Sequence, residues 1–121
     1  MRTSHPVLLH ICAAPDWVDA QRLGELCPGS LPDVGFVHLS TPQQVHLPAN
    51  RLYAGRGDLL LLHVDPTRLG APVRWEPGVA TDPASMMFPH YYGALPVAAV
   101  IAVTGYRPGP DGRFQPLQRS T

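Results

Sequence analysis

Six histidines stand out in a chain of 121 residues that carries no net charge. Their surroundings say which of them can do chemistry. His10 lies in Val7-Leu8-Leu9-His10-Ile11-Cys12 and His38 in Phe36-Val37-His38-Leu39-Ser40, apolar stretches of strand length. Side chains alternate across a strand, so His10 shares a face with Leu8 and Cys12, and His38 with Phe36 and Ser40. In Val73-Arg74-Trp75-Glu76 the same rule puts Arg74 and Glu76 on one face and the apolar pair on the other. Glu76 is one of two glutamates in the chain. A carboxylate in a partly apolar cleft serves as a general base or stabilises a developing cation. His90, in Phe88-Pro89-His90-Tyr91-Tyr92-Gly93, reads as a loop residue among aromatics, placed to close over a ligand or to pin the loop. His10, His38, Glu76 and His90 are expected to converge on one pocket. His63 reads as a satisfied core or sheet-face histidine, and His5 and His46 have little beyond their identity to recommend them.

Other chemistries fit less well. The four convergent residues are suitable zinc or iron ligands, but the chain has neither His-x-x-x-His nor Cys-x-x-Cys spacing, so no metal is expected. There is no glycine-rich phosphate loop, and Gly55-Arg56-Gly57-Asp58 reads as a turn. Ser40 lacks the nucleophile-elbow context of a hydrolase serine.

Fifteen prolines and eleven glycines break the chain into short elements. After the first strand, Pro15 and Asp16 suit the first turn of a helix that runs to Gly24. Ser40 or Thr41 can cap a short helix through Gln43 to His46, which Pro48 is expected to disturb before it resumes through Asn50 to Tyr53. Leu59 to Val64, apolar but for His63, predicts a strand buried on both faces. A strand over Val73 to Glu76 ends at Pro77-Gly78, a mobile loop is expected over Val79 to Pro89, and Val97 to Tyr106 predicts a late, central strand. The expected organisation is one domain over residues 1–121, with a core over about residues 7–106 and a peripheral tail over residues 107–121. Strands outnumber helices without regular strand–helix alternation, which makes the class α+β.

Composition narrows the partners. Nine basic and nine acidic residues cancel, leaving no long-range pull toward phosphate backbones or anionic lipid. A small-molecule ligand is the expected partner, with no nucleic acid and no membrane. The longest apolar run falls well short of the roughly 20 residues that span a bilayer. No secretory signal is evident, so the expected compartment is the cytoplasm, where Cys12 and Cys27 stay as free thiols.

The motifs together resemble a family of short bacterial proteins of unknown function that is grouped by fold with the ADP-ribosyltransferases. They are Leu9-His10-Ile11, Asp16-Trp17, Gly35-Phe36-Val37-His38-Leu39-Ser40-Thr41, Gln44-Val45, Asn50-Arg51-Leu52-Tyr53, Leu61-Leu62-His63-Val64-Asp65-Pro66, Val73-Arg74-Trp75-Glu76 and Phe88-Pro89-His90-Tyr91-Tyr92-Gly93-Ala94-Leu95-Pro96. The resemblance implies two small, packed, mainly antiparallel sheets that form a cleft, with short helices outside. It implies NAD or a related ribosyl nucleotide as substrate, with no resident cofactor. His10 would meet the nicotinamide-side ribose, His38 would shape the nicotinamide pocket, and Glu76 would complete the catalytic set. Ser40, Thr41, Arg51, Tyr53, Arg74, His90 and Tyr91 would bind the ligand. The superfamily's first strand often reads His-x-Thr, whereas the third position here is Cys12. The same cleft also suits an acid–base enzyme acting on another metabolite, or a binding module without a reaction.

Overall fold

The first element follows from its residues. Leu8 to Ala13 is apolar and extended, and it forms β1 (Leu8–Ala13). The computed structural model describes residues 7–28, 35–78 and 85–117. Helix α1 (Ala14–Leu23) follows at once, with Pro15 in its first turn, where a missing N–H costs nothing, and Asp16 against the positive end of the helix. Gly24 ends it in the left-handed region at φ 84°, and its N–H bonds the Ala20 carbonyl. Strands β2 (Glu25–Leu26) and β3 (Val37–His38) come next, then α2 (His46–Tyr53), β4 (Leu59–Val64), β5 (Arg74–Pro77), β6 (Met87–Tyr91), β7 (Leu95–Pro96) and β8 (Val100–Tyr106). Single turns of 3-10 helix cover Pro66–Arg68 and Val97–Ala99.

The described strands form antiparallel sheets in the orders β1-β4-β8, β3-β6-β5 and β2-β7. The architecture is therefore mixed α+β, as its punctuation predicts. β4 is the middle strand of the first sheet, and its alternating side chains feed a core cluster on each face. One cluster joins Leu8, Cys12, Leu62 and Val64 to Val37, Leu39, Tyr91 and Leu95. The other joins Leu9, Leu59, Leu61 and Tyr106 to Val45, Ala49 and Phe114. Because both faces are covered, the apolar run Leu59 to Leu62 has no polar side to show.

Four expectations need correction. Pro48 does not break α2: it is the third residue of that helix, where backbone N–H groups have no partner within the helix in any case. The stretch assigned to a loop ending at Pro89 includes most of β6, so His90 stands on a strand paired with β3 and β5; residues 79–84 of that loop lie outside the described residues. The late strand is an edge and not a centre, since among the described residues β8 pairs with β4 alone. Finally, the tail is more than peripheral. Phe114 is buried against Tyr106, with ring centroids 4.5 Å apart, and Asn50 holds its backbone through both a donated and an accepted hydrogen bond.

Candidate functional site

Among the described residues, the two three-stranded sheets are joined by backbone bonds between Leu9 and Ser40. Leu9 of β1 donates to the Ser40 carbonyl at 2.7 Å, and Ser40 donates back at 2.8 Å. Backbone groups alternate sides along an extended strand, so the N–H and C=O of Ile11 also point away from β4. Continued antiparallel, the Leu9–Ser40 bridge would set Ile11 opposite His38, but the His38 carbonyl takes the His10 Nδ1 proton instead, and among the described residues nothing pairs with the Ile11 groups. Ile11 lines a cavity of about 600 Å³, within the range typical of small-molecule sites. The cavity thus has an open strand edge in its wall.

Beside that edge stand the histidines. His10 Nδ1 donates to the His38 carbonyl at 2.8 Å, which fixes its ring and leaves the lone pair on Nε2. Burial holds the His10 pKa below the ordinary value of 6.5, so the ring is a neutral acceptor. His38 is displaced in the same direction, first by burial and then by the positive potential of His90, His10 and Arg51. His90 lies opposite His38 across the β3–β6 pair, their ring centroids 5.2 Å apart, and Phe36 stacks on His90 at 4.0 Å.

His90 Nδ1 is 2.9 Å from Glu76 Oε1, and the Tyr92 hydroxyl donates to the same oxygen at 2.7 Å. These bonds, Tyr92 first, hold the Glu76 carboxyl below its usual range. With Nδ1–H turned to the carboxylate, the neutral His90 ring carries its lone pair on Nε2, a buried atom with no hydrogen-bond partner. A carboxylate that orients an imidazole and stabilises its protonated form is a general-base arrangement. Arg74 lies over the Tyr92 ring at 4.6 Å, on the outer side of the same group.

The shared-pocket expectation is met in part. His10, His38, Ser40, Arg51, Tyr53 and His90 line the cavity. Glu76 and Arg74 do not line it: Glu76 reaches it through His90, while Arg74 lies on the ring of Tyr92, which does not line it either. Thr41 opens the turn into α2, its N–H bonded to Gln44 Oε1 at 3.2 Å. Tyr91 is on the opposite face of β6 from His90, in the core, and its hydroxyl accepts the Gly70 N–H at 3.2 Å. Its place as a ligand residue is corrected accordingly. His63 bonds Thr104 on the neighbouring strand at 2.9 Å, which is the sheet-face and not the core alternative for it.

Sequence reasoning missed Tyr92 and the Ile11 edge. The first was hidden by the loop assignment, because only a strand makes alternate residues diverge. The second has no side-chain signal at all. Cys12 also lines the cavity, but burial and Asp16 push its thiol up to about 11, which keeps it protonated. Among the described residues no three His, Cys, Asp or Glu side chains form a group that can hold a metal ion.

A family model described as "Protein of unknown function (DUF952)" matches residues 11–103, a span from β1 to β8 that includes His38, Glu76 and His90. The chain belongs to this family. Its fold is similar to that of protein CC0527 from Caulobacter crescentus. The crystal structure of that protein is 29% identical with a TM-score of 0.75, covering 90% of this chain and 93% of that chain. Its solution NMR structure is 27% identical with a TM-score of 0.75, covering 90% of this chain and 91% of that chain. A comparison with curated proteins gives no match. The family's span holds His38 and the Glu76–His90 pair; the matched residues begin at Ile11, one position after His10.

Proposed function

We propose that the cleft binds a ribosyl nucleotide of the NAD type and that the protein acts at the nicotinamide–ribose bond. The observation that carries this reading is the free backbone of Ile11 beside His10. One N–H and one C=O on the same side of a strand match a primary carboxamide, which offers one acceptor and two donors. A ribose hydroxyl beside it can donate to His10 Nε2. Arg51, on the cavity wall and without an ion pair among the described residues, suits a phosphate. Two small antiparallel sheets meeting at a cleft accord with an ADP-ribosyltransferase-like architecture, as does the resemblance of the motifs.

The chemistry follows from the same groups. Cleaving the nicotinamide–ribose bond develops an oxocarbenium-like cation, and the attacking hydroxyl or water must lose a proton. His90 Nε2 is the free base, and Glu76 stabilises the imidazolium that results. Glu76 therefore works through His90 and not against the ribose.

Calorimetric titration with NAD tests this. Saturable binding by the wild-type chain is expected, with nicotinamide release lowered by about a hundredfold in Glu76→Gln, the low end of a general-base contribution. The far-UV spectrum should be unchanged, because the carboxylate is at the surface end of the pair. A second reading is favoured by one observation, that Glu76 is engaged by His90 and Tyr92 outside the cavity wall. It is an acid–base enzyme for another metabolite. Folded protein that gives no heat at millimolar NAD would decide for it.

A further inference from the structure

β8 has the sequence of an interior strand and the position of an edge. Val97 to Tyr106 contains no Asp, Glu, Lys, Arg, His or Pro. It is bonded on one side to β4, from Leu59↔Tyr106 to Val64↔Val100, and on the other side no described strand follows. All of Ile101 to Gly105 is exposed, with Ile101 at 48% and Val103 at 39%. Natural edges are normally blunted by charge, by proline or by brevity. β5, the edge of the other three-stranded sheet, carries Arg74, Glu76 and Pro77, whereas β8 runs for seven residues with none of these.

The direction of its free backbone groups can be worked out. Leu9 turns its N–H and C=O to Ser40, so its pairing with His63 is a non-hydrogen-bonded one. By alternation Leu59, Leu61 and His63 turn their groups toward β8, and Ala102, Thr104 and Tyr106 answer them. Val103 and Gly105 are left with N–H and C=O pointing outward.

We propose that β8 is a dimerisation edge, paired antiparallel with β8 of a second copy about a two-fold axis at Val103. The resulting sheet runs β1-β4-β8 and on through the same strands of the partner in reverse. In this register Val103 faces its own counterpart and exchanges both hydrogen bonds with it. Ile101 faces Gly105, Ala102 faces Thr104 and Val100 faces Tyr106, so every pair lies within the uncharged strand. Charge selects the occupant. An isologous interface sets each side chain near its own copy, so any ionised group close to the axis would repel itself. A strand without ionised groups from residue 97 to residue 106 meets that condition and offers nothing to a charged partner. The inference does not depend on the proposed activity, because β8 does not line the cavity.

The test is sedimentation equilibrium of the full chain over a wide concentration range, with Val103→Pro and Val103→Lys. Proline removes an outward N–H and leaves the β4 ladder whole; lysine puts like charges together at the axis. A wild-type dimer is expected, with both variants at least tenfold weaker in association and unchanged in far-UV signal. Hydrogen exchange gives the readout that misfolding would not mimic. The Val103 and Gly105 amides should be protected in concentrated wild-type protein and should exchange freely in Val103→Lys, while the Leu61 and Ala102 amides stay protected in both. A wild-type chain that stays monomeric at millimolar concentration overturns the proposal. So does a dimer that survives both substitutions, which would place another surface or another segment at the interface, or Val103 protection that persists at high dilution, which would mean that the chain covers its own edge.

Discussion

At the residue scale, what distinguishes the imidazoles of the site is the partner of Nδ1. His10 gives that proton to a backbone carbonyl and His90 gives it to a carboxylate, so both rings offer Nε2 as an acceptor. The consequence for pH has a definite sign. Burial lowers the pKa of His10 and of His38 below 6.5, so within the window just below that value the unfolded chain binds protons that the native chain does not. Stability then rises with pH across this window and falls as pH drops from 6.5 toward the folded values. Glu76 adds a loss of the same sign at lower pH, since its folded carboxyl is depressed. Denaturant midpoints measured between pH 7.5 and about 5, the range in which histidine ordinarily titrates, should decline for the wild-type chain. The decline should be shallower in His10→Gln, and an unchanged slope in that variant would mean that His10 is not held neutral by the fold. That His10, His38 and His90 share one cavity was legible in the sequence, because ionisable residues inside apolar strand patterns are few; Glu76 stands outside its wall. Their wiring was not, because hydrogen bonds such as that from His10 to the His38 carbonyl depend on a register between segments 28 residues apart.

At the element scale, local pattern succeeded where one rule dominated and failed where context chose between two. β4 was readable as an interior strand because nothing polar interrupts it before His63. β8 reads the same way and is an edge among the described strands; an apolar run alone does not distinguish cover by a second copy from cover by a third strand. Pro48 misled because a proline is costly only beyond the first turn, and the start of α2 is set by packing of Ala49 and not by a side-chain cap. The tail misled because its prolines and glycines outweigh one phenylalanine by count but not by burial. Phe114 is 2% exposed, and the Asn50 side chain clasps its N–H at 2.7 Å and its C=O at 2.9 Å. Phe114→Ala should therefore cost about 3–5 kcal/mol by cavity formation. Asn50→Ala should cost about 1–3 kcal/mol by leaving buried backbone groups unpaired. Urea unfolding of the two variants and of the double variant checks this. Because both substitutions loosen the same clasp, the double variant should lose less than the two single losses combined.

At the scale of the whole molecule, the site is a seam. His10 comes from the sheet β1-β4-β8, while His38 and His90 come from β3-β6-β5, and the described backbone bonds that join the two strand ladders directly are those between Leu9 and Ser40. A ligand held by His10 and the Ile11 edge on one side and by His38 and His90 on the other bridges two halves that share little backbone pairing. Binding to the native state alone raises stability by about 2.7 kcal/mol at a hundred times the dissociation constant. For a chain of this size that shifts the thermal midpoint by several degrees, of the order of 10 °C. The same ligand should slow exchange of the Leu9 and Ser40 amides, because opening the seam would break its contacts with both sheets. Thermal melts and hydrogen exchange with and without NAD measure the two effects together. A rise in midpoint without added protection at Leu9 and Ser40 would put the ligand on one sheet only. In that case His10 and His90 could not act on the same molecule, and the acid–base role of the Glu76–His90 pair would have to be separated from the nucleotide cleft.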